Sequence, residues 1–455
     1  MFTYNKNLLK RIIVYLLIFI LFLVTDFVVI AWAFGYRWDF QNRQLTKTGA
    51  IVIATNQPGY SVLFNKKKIH NSKNKLVIKN LLPREYLLKI EKEEFYPWEK
   101  NINVEAHKIS YYDKIILFPK NNRPKTILYD VDDYKLNQEK NIIYASRKNK
   151  NQIIQFSILE NKIINQIEIA DIENFYPSFD GQKILIIPQN QTKKIKIIDN
   201  QNKNKTFELP INKENLQKIE WSLKNNNLFL IYENNLYLIN LEEEKINLNL
   251  LANSVKDFNL TENYIFYWQK KEESSDYYLW QSNYSFNEKN IIITLPLQEN
   301  ETIFPSPDGE KIIFKNKNEE IYLVLNKKLK KINDKAKIIK WNKDSQKLIY
   351  STDFEINLLE FYENNNYNQK SITRFTENIE YLDWLPLSQS NYLLFAINKK
   401  IKISELDGNN TINLTEAEKN LNIISLGENR QKNQIKLFFF RGKDPIFNLF
   451  SLEII

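Results

Sequence analysis

The stretch Phe175 to Ile187, FYPSFDGQKILII, reads as an aromatic strand, a tight Pro-Ser-x-Asp-Gly turn and a second apolar strand. The design returns almost intact at Ile303 to Phe314, IFPSPDGEKIIF, and with Asp344-Ser345 in place of Asp-Gly at Ile338 to Thr352, IIKWNKDSQKLIYST. Two further copies, IEWSLKNNNLFLIYE from Ile219 and YLDWLPLSQSNYLLFAI from Tyr381, keep the Trp and the second strand but have lost the Gly. Turn centres fall near Asn137, Asp180, Lys224, Glu262, Asp308, Asp344, Leu387 and Glu428, a spacing of about 43 residues that is the period of a propeller blade. Apolar runs between the turns, such as those at Ile195 to Ile198 and Asn235 to Ile239, bring each unit to four strands.

Eight units over residues 119–455 predict a β-propeller of about eight blades. Seven is the alternative, because the insert KKEESSD stretches the Glu262 unit. The final unit, ending on PIFNLFSLEII, is one strand short, and KTILY at Lys125 to Tyr129 is placed to supply the missing outer strand and close the ring. In the turns, Gly181 and Gly309 admit positive φ, Asp180 and Asp308 bond local backbone, and Trp221, Trp341 and Trp384 pack between blades. These seven residues are read as structural. Through these turns the region resembles TolB-type and WD-repeat-like propellers.

Upstream, residues 49–118 carry five or six short apolar runs separated by turn signals such as Gln57-Pro58-Gly59. Tyr86, Leu88 and Ile90, and again Ile102 and Val104, alternate with polar residues as half-buried strands of a small antiparallel β-sandwich do. The segment resembles the PEGA domain, a β-sandwich module of bacterial surface proteins. The resemblance rests on Ile51 to Gly59, on Leu81-Leu82-Pro83-Arg84-Glu85-Tyr86, on Glu94 to Trp98, and on Leu117-Phe118-Pro119. Arg84 and Glu94 stand where that family has Gly. What the resemblance implies is an interaction module and not a catalyst. His70 and His107 fall in this segment without a partner motif and are expected on exposed turns or strand edges.

The N-terminus is of a different kind. Ile12 to Phe34, IIVYLLIFILFLVTDFVVIAWAF, is apolar with a single charge and long enough for a helix to cross about 30 Å of hydrocarbon. Tyr36 and Trp38 follow where an interfacial aromatic belt would sit. The reading is a cytoplasmic tail (1–11), an uncleaved transmembrane signal anchor (12–34) and an extracytoplasmic remainder. Cleavage after Ala33 is the weaker alternative, since the apolar run is too long for a signal core. Lys/Arg residues number three on each side, Lys6, Lys10 and Arg11 against Arg37, Arg43 and Lys47, so orientation rests on the architecture of one span before a large domain. Asp26, inside the span, is a candidate contact to a partner helix.

Composition narrows the chemistry. With 43% hydrophobic and 13% aromatic residues, including 25 Tyr and 28 Phe, the chain is suited to pleated sheets, all-β apart from the one helix. It has no Cys, two His and 8 Gly, which excludes a disulfide framework, and no Gly-x-Ser-x-Gly, Walker loop, Rossmann fingerprint or His-Glu-x-x-His is present. No catalytic, cofactor-binding or metal residue is assigned. The net charge of +10 is spread through a Lys- and Asn-rich chain, without the basic and aromatic cluster of a nucleic-acid surface. The expected role is a membrane-anchored, non-enzymatic scaffold binding protein or cell-surface polymer. The alternative is a propeller-fold glycoside hydrolase or lyase with paired carboxylates.

Overall fold

The computed structural model describes residues 6–454 except 66, 121–122, 138–139, 191–193, 201–205, 242–245, 298–300, 364–365, 386–390, 417–421, 430–433 and 444–445. The turn expected near Leu387 and the first five residues of the tail lie outside the described residues. The chain divides into two compact units, Met1–Asn121 and Asn122–Ile455.

The first unit opens with α1 (Lys6–Ala33), continuous through the apolar run because nothing in it breaks a helix. A short hairpin follows, β1 (Tyr36–Asp39) with β2 (Gln44–Lys47). Seven strands build the sandwich: β3 (Gly49–Thr55), β4 (Tyr60–Phe64), β5 (Lys67–Asn71), β6 (Lys75–Leu81), β7 (Glu85–Glu91), β8 (Trp98–Asn103) and β9 (Ile109–Ile115). They form sheets of order β6-β3-β9 and β5-β4-β7-β8. Ile51, Ile53, Val62, Leu88, Ile90 and Trp98 meet in the core between them.

Three details depart from expectation. There are seven strands rather than five or six. Among them β5, KKIHN, is a mostly exposed edge strand whose lysines suit an edge and whose sequence holds a single apolar residue. The pairs are antiparallel except β3 with β9, which run parallel and are joined by a long crossover rather than a hairpin. Glu94 keeps the left-handed backbone for which the resembled family uses Gly, with φ of 63°, whereas Arg84 does not. His70 lies exposed on β5 with its ring 3.4 Å from Ser61 Oγ, and His107 sits exposed in a turn.

Among the described residues, the second unit contains eight four-stranded antiparallel meanders. Seven are consecutive in sequence: blade 1 (Asp133–Glu168), blade 2 (Ile172–Glu208), blade 3 (Leu216–Ala252), blade 4 (Val255–Pro296), blade 5 (Thr302–Asn333), blade 6 (Ile338–Arg374) and blade 7 (Ile379–Glu416). Blade 8 joins Asn422–Asn429, Gln434–Lys443 and Ile446–Glu453 to β10 (Lys125–Val131), with Lys125 opposite Ser451 and Thr126 opposite Phe450. The strand that opens the unit is therefore the outer strand of its last blade, and neither remains an unpaired edge at that closure. The insert near Lys270 lengthens a hairpin of blade 4 without splitting it, which decides for eight blades. Glu428 is still in its strand, paired with Ile435, so that turn falls slightly later than expected.

Candidate functional site

The first strand of each meander lies nearest the ring axis, because first strands of successive blades touch one another. Three of their sequences superpose on the Trp or Pro that ends them, Asn174-Phe175-Tyr176-Pro177, Lys218-Ile219-Glu220-Trp221 and Tyr381-Leu382-Asp383-Trp384, and Asp257-Phe258-Asn259-Leu260 follows the same pattern with Leu in that place. Phe175, Ile219, Phe258 and Leu382 are buried, while the residues on either side of them are half-exposed. In several blades a β-bulge sits just upstream, between Ile172 and Asn174, Leu216 and Lys218, Val255 and Asp257, and Ile379 and Tyr381. A bulge re-aims the following side chains, and its recurrence gives the inner strands a common pair of polar positions.

Those positions are joined within blades and across them. Within blades, Asp133 meets Lys135 at 3.5 Å, Asn174 Nδ2 donates to Tyr176 Oη at 2.9 Å, Lys218 meets Glu220 at 3.3 Å, and Tyr381 Oη donates to Asp383 at 3.1 Å. Between blades, Lys135 stands 5.4 Å from the Tyr176 ring centroid, Lys218 lies 2.9 Å from Asp257, and Lys340 lies 3.6 Å from Asp383. Lys218 thus serves two carboxylates from two blades.

The electrostatics show how confined this ring is. Glu220 retains 42% of its side-chain surface, yet desolvation pushes its carboxyl above the usual range against the pull of Lys218. Surrounding protein thus disfavours the charged form although part of the side chain stays accessible. The phenols of Tyr134, Tyr176 and Tyr381 are raised for the same reason, desolvation first and nearby carboxylates second. Tyr134 of blade 1 also acts on Tyr381 of blade 7, across blade 8. The inner strands thus bring hydrogen-bonding and charged groups of several blades together.

The residues singled out in the sequence surround this ring without lining it. Trp221, Trp341 and Trp384 each donate Nε1–H to a carbonyl of the preceding blade's inner strand: to Tyr176 at 2.9 Å, Phe304 at 2.9 Å and Lys340 at 3.1 Å. Gly181 and Gly309 take φ of 71° and 77°. Asp180 accepts from the Gln182 N–H at 2.9 Å and from Asn226 of blade 3 at 2.6 Å. Desolvation raises the Asp180 carboxyl, but these bonds and that from Ser178 outweigh it and hold the group below its ordinary range. Asp308 accepts from the Glu310 N–H, and its own N–H donates to Ser345 of blade 6 at 3.0 Å. Asp26 lies exposed on α1, in the first unit.

The inner-strand ring itself went unassigned in the sequence. Its signal was available once the copies were superposed, as the residues one and three before each terminal Trp or Pro. Among the described residues, no group of three or more His, Asp or Glu is placed to hold a metal.

No family model matches the chain, and no curated protein does. Among solved structures, a crystal structure of a eukaryotic initiation factor shares 12% identity with TM-score 0.51 over 71% of this chain and 88% of that one. The β-propeller domain of Cps50 (Swd1) from Myceliophteria thermophila shares 9% identity with TM-score 0.40 over 72% and 99%. Hsv2 from Kluyveromyces lactis shares 9% with TM-score 0.40 over 69% and 98%. The likeness is one of fold, and the meander topology makes the second unit a β-propeller.

Proposed function

We propose that this chain is a membrane-anchored binding platform. In this reading α1 is an uncleaved signal anchor, the sandwich is a PEGA-like spacer, and a TolB-type propeller holds a protein or cell-surface polymer on the extracytoplasmic side of a bacterial membrane. One observation carries the anchoring: the helix Lys10–Ala33 contains an 18-residue stretch of mean hydropathy 2.9, none of it buried in the protein. Folded protein gives such a surface no cover, and hydrocarbon does. Binding rather than turnover is supported by the way these inner-strand charges are paired with one another, as Lys218 is with Glu220 and Asp257. An anchor confines this ring to the membrane surface and raises the effective concentration of any neighbour.

The experiment is protease shielding of intact cells carrying an N-terminal tag, followed by detergent solubilisation and pull-down. Cleavage of the propeller with protection of the tag supports the reading. Protection of the propeller in cells with a permeabilised envelope refutes the location.

One feature favours a second reading. Glu220, with its raised carboxyl, and Asp257 share Lys218, so two carboxylates of different blades converge on one space. Glycoside cleavage needs such a pair, one protonated and one ionised. Hydrolysis of any polysaccharide in a panel, abolished by both Glu220→Gln and Asp257→Asn, would replace the scaffold reading with this one.

A further inference from the structure

The hairpin β1–β2 is built inside out for a protein in water. Its paired residues are Tyr36 with Lys47, Arg37 with Thr46, Trp38 with Leu45 and Asp39 with Gln44. Successive residues of a strand face opposite sides, so Trp38 and Leu45 share a face, and Asp39 lies on the other. The carboxylate is the covered group: Asp39 is 4% exposed, while Trp38 is 51%, Leu45 44% and Phe40, at the turn, 83% exposed. Asp39 is occupied by the turn itself, accepting from the Gln41 N–H at 3.0 Å, the Asn42 N–H at 3.4 Å and Asn42 Nδ2 at 2.9 Å. Its hydrogen bonds hold Phe40 outward at the tip.

The hairpin is also fixed to the end of α1. Gly35 has φ of 83°, and its carbonyl accepts both the N–H and the hydroxyl of Thr48, at 2.9 and 2.8 Å. Arg37 donates to the Trp32 carbonyl at 2.9 Å, which also accepts the Gly35 N–H at 3.2 Å, and stacks 4.5 Å from the Trp32 ring centroid. At about 3.3 Å per residue, the four-residue strands place the tip within about 15 Å of the helix end. An aromatic and apolar face with Arg37, Arg43 and Lys47 around it, next to a span, matches the zone of lipid headgroups and glycerol backbone, where aromatic rings are stable and cations meet phosphates.

We infer that the β1–β2 hairpin is a membrane-interface foot, with Trp38, Phe40 and Leu45 seated in the headgroup region of the leaflet where α1 emerges. The foot sets the angle at which the chain leaves the bilayer. The inference rests on the reading of α1 as a membrane span. It needs a lipid surface and no protein partner.

The chain has no cysteine, so single spin labels can be placed without removing any residue. The full-length protein is reconstituted in vesicles of phosphatidylethanolamine and phosphatidylglycerol, labelled in turn through Phe40→Cys, Leu45→Cys, Gln44→Cys and Val24→Cys. Collision of each label with oxygen and with a water-soluble nickel chelate is then measured. The expected result is an oxygen-to-nickel ratio several-fold higher at positions 40 and 45 than at 44, with the highest ratio at 24. A high ratio at 24 with 40 and 45 as water-exposed as 44 overturns the foot and leaves the anchor standing. A water-exposed label at 24 overturns the anchor, and the foot with it. Labels at 40 and 45 shielded equally from both reagents would mean burial against protein, which also overturns the inference.

Discussion

Trp341 of blade 6 donates its indole N–H to the carbonyl of Phe304 in blade 5 at 2.9 Å, and Trp221 and Trp384 make the same bond to Tyr176 and Lys340. The partners are 37, 45 and 44 residues apart, one blade in each case. Each ring is therefore both packing mass and a bolt between neighbouring sheets. Trp221→Phe keeps most of the volume and strands a mostly buried carbonyl, at a cost of about 1–2 kcal/mol, while Trp221→Ala adds a cavity and costs about 3–5 kcal/mol. Urea unfolding followed by circular dichroism measures both, and an unchanged stability in Trp221→Phe would mean that the bond contributes nothing.

The Asp-Gly turns give a second test. A Cβ at Gly309 would lie 2.5 Å from Tyr264 Cδ2, whereas one at Gly59 would meet nothing within 4 Å. Both have positive φ, so Gly59→Ala should cost about 1 kcal/mol and Gly309→Ala about 2 kcal/mol or more. Blade 6 places Ser345 in the same left-handed conformation, φ of 60°, and its hydroxyl accepts the Asp308 N–H from blade 5. The side chain thereby offsets its own backbone strain. Ser345→Ala should accordingly lower Tm more than Ser345→Gly, as scanning calorimetry would show.

Ring closure depends on a strand far from its partner. Leu128 in β10 is 1% exposed and packs with Phe438 and Leu449 of the last blade. Leu128→Asp buries a charge in that contact and should cost about 3 kcal/mol or more, with release of β10 and association through the bared strand edge. Size-exclusion chromatography should show oligomers, and an unchanged monomer would mean that β10 does not hold the ring shut.

Glu220 predicts a pH dependence of definite sign. Its carboxyl is raised in the folded chain, so the stability linked to it is complete below the unfolded value and is lost as pH rises through the folded one. Glu220→Gln removes that loss. The variant should match the parent near about pH 4 and melt at a higher temperature by about pH 7. A Tm difference independent of pH would show that Glu220 is not confined as described.

How much of this was legible in the sequence follows from the range of the interactions involved. The blade period was carried by Asp180-Gly181 and Asp308-Gly309, whose turn chemistry is local, and the closing role of Lys125 to Tyr129 followed from counting strands. The helix was legible because hydropathy needs no tertiary context. What escaped was cooperative between blades. Lys218 is an ordinary lysine until Asp257, in the next blade, comes within 2.9 Å, and Tyr381 gains its meaning from Tyr134 across the ring. Strand β5 offers little to read for another reason, since it is a mostly exposed edge with a single apolar residue.

The closing strand also sets a timetable. Asp130 at the end of β10 and Asn448 in its partner strand are 318 residues apart. During synthesis β10 must therefore wait, unpaired, until seven blades have formed behind it. Pairings so distant in sequence are slow to form and reward the chain only at the end. A protein released early, or nicked within blade 8, would keep most of its secondary structure yet offer an open seam at β10, which makes integrity of the last blade the point at which a quality-control protease could tell a finished ring from an unfinished one.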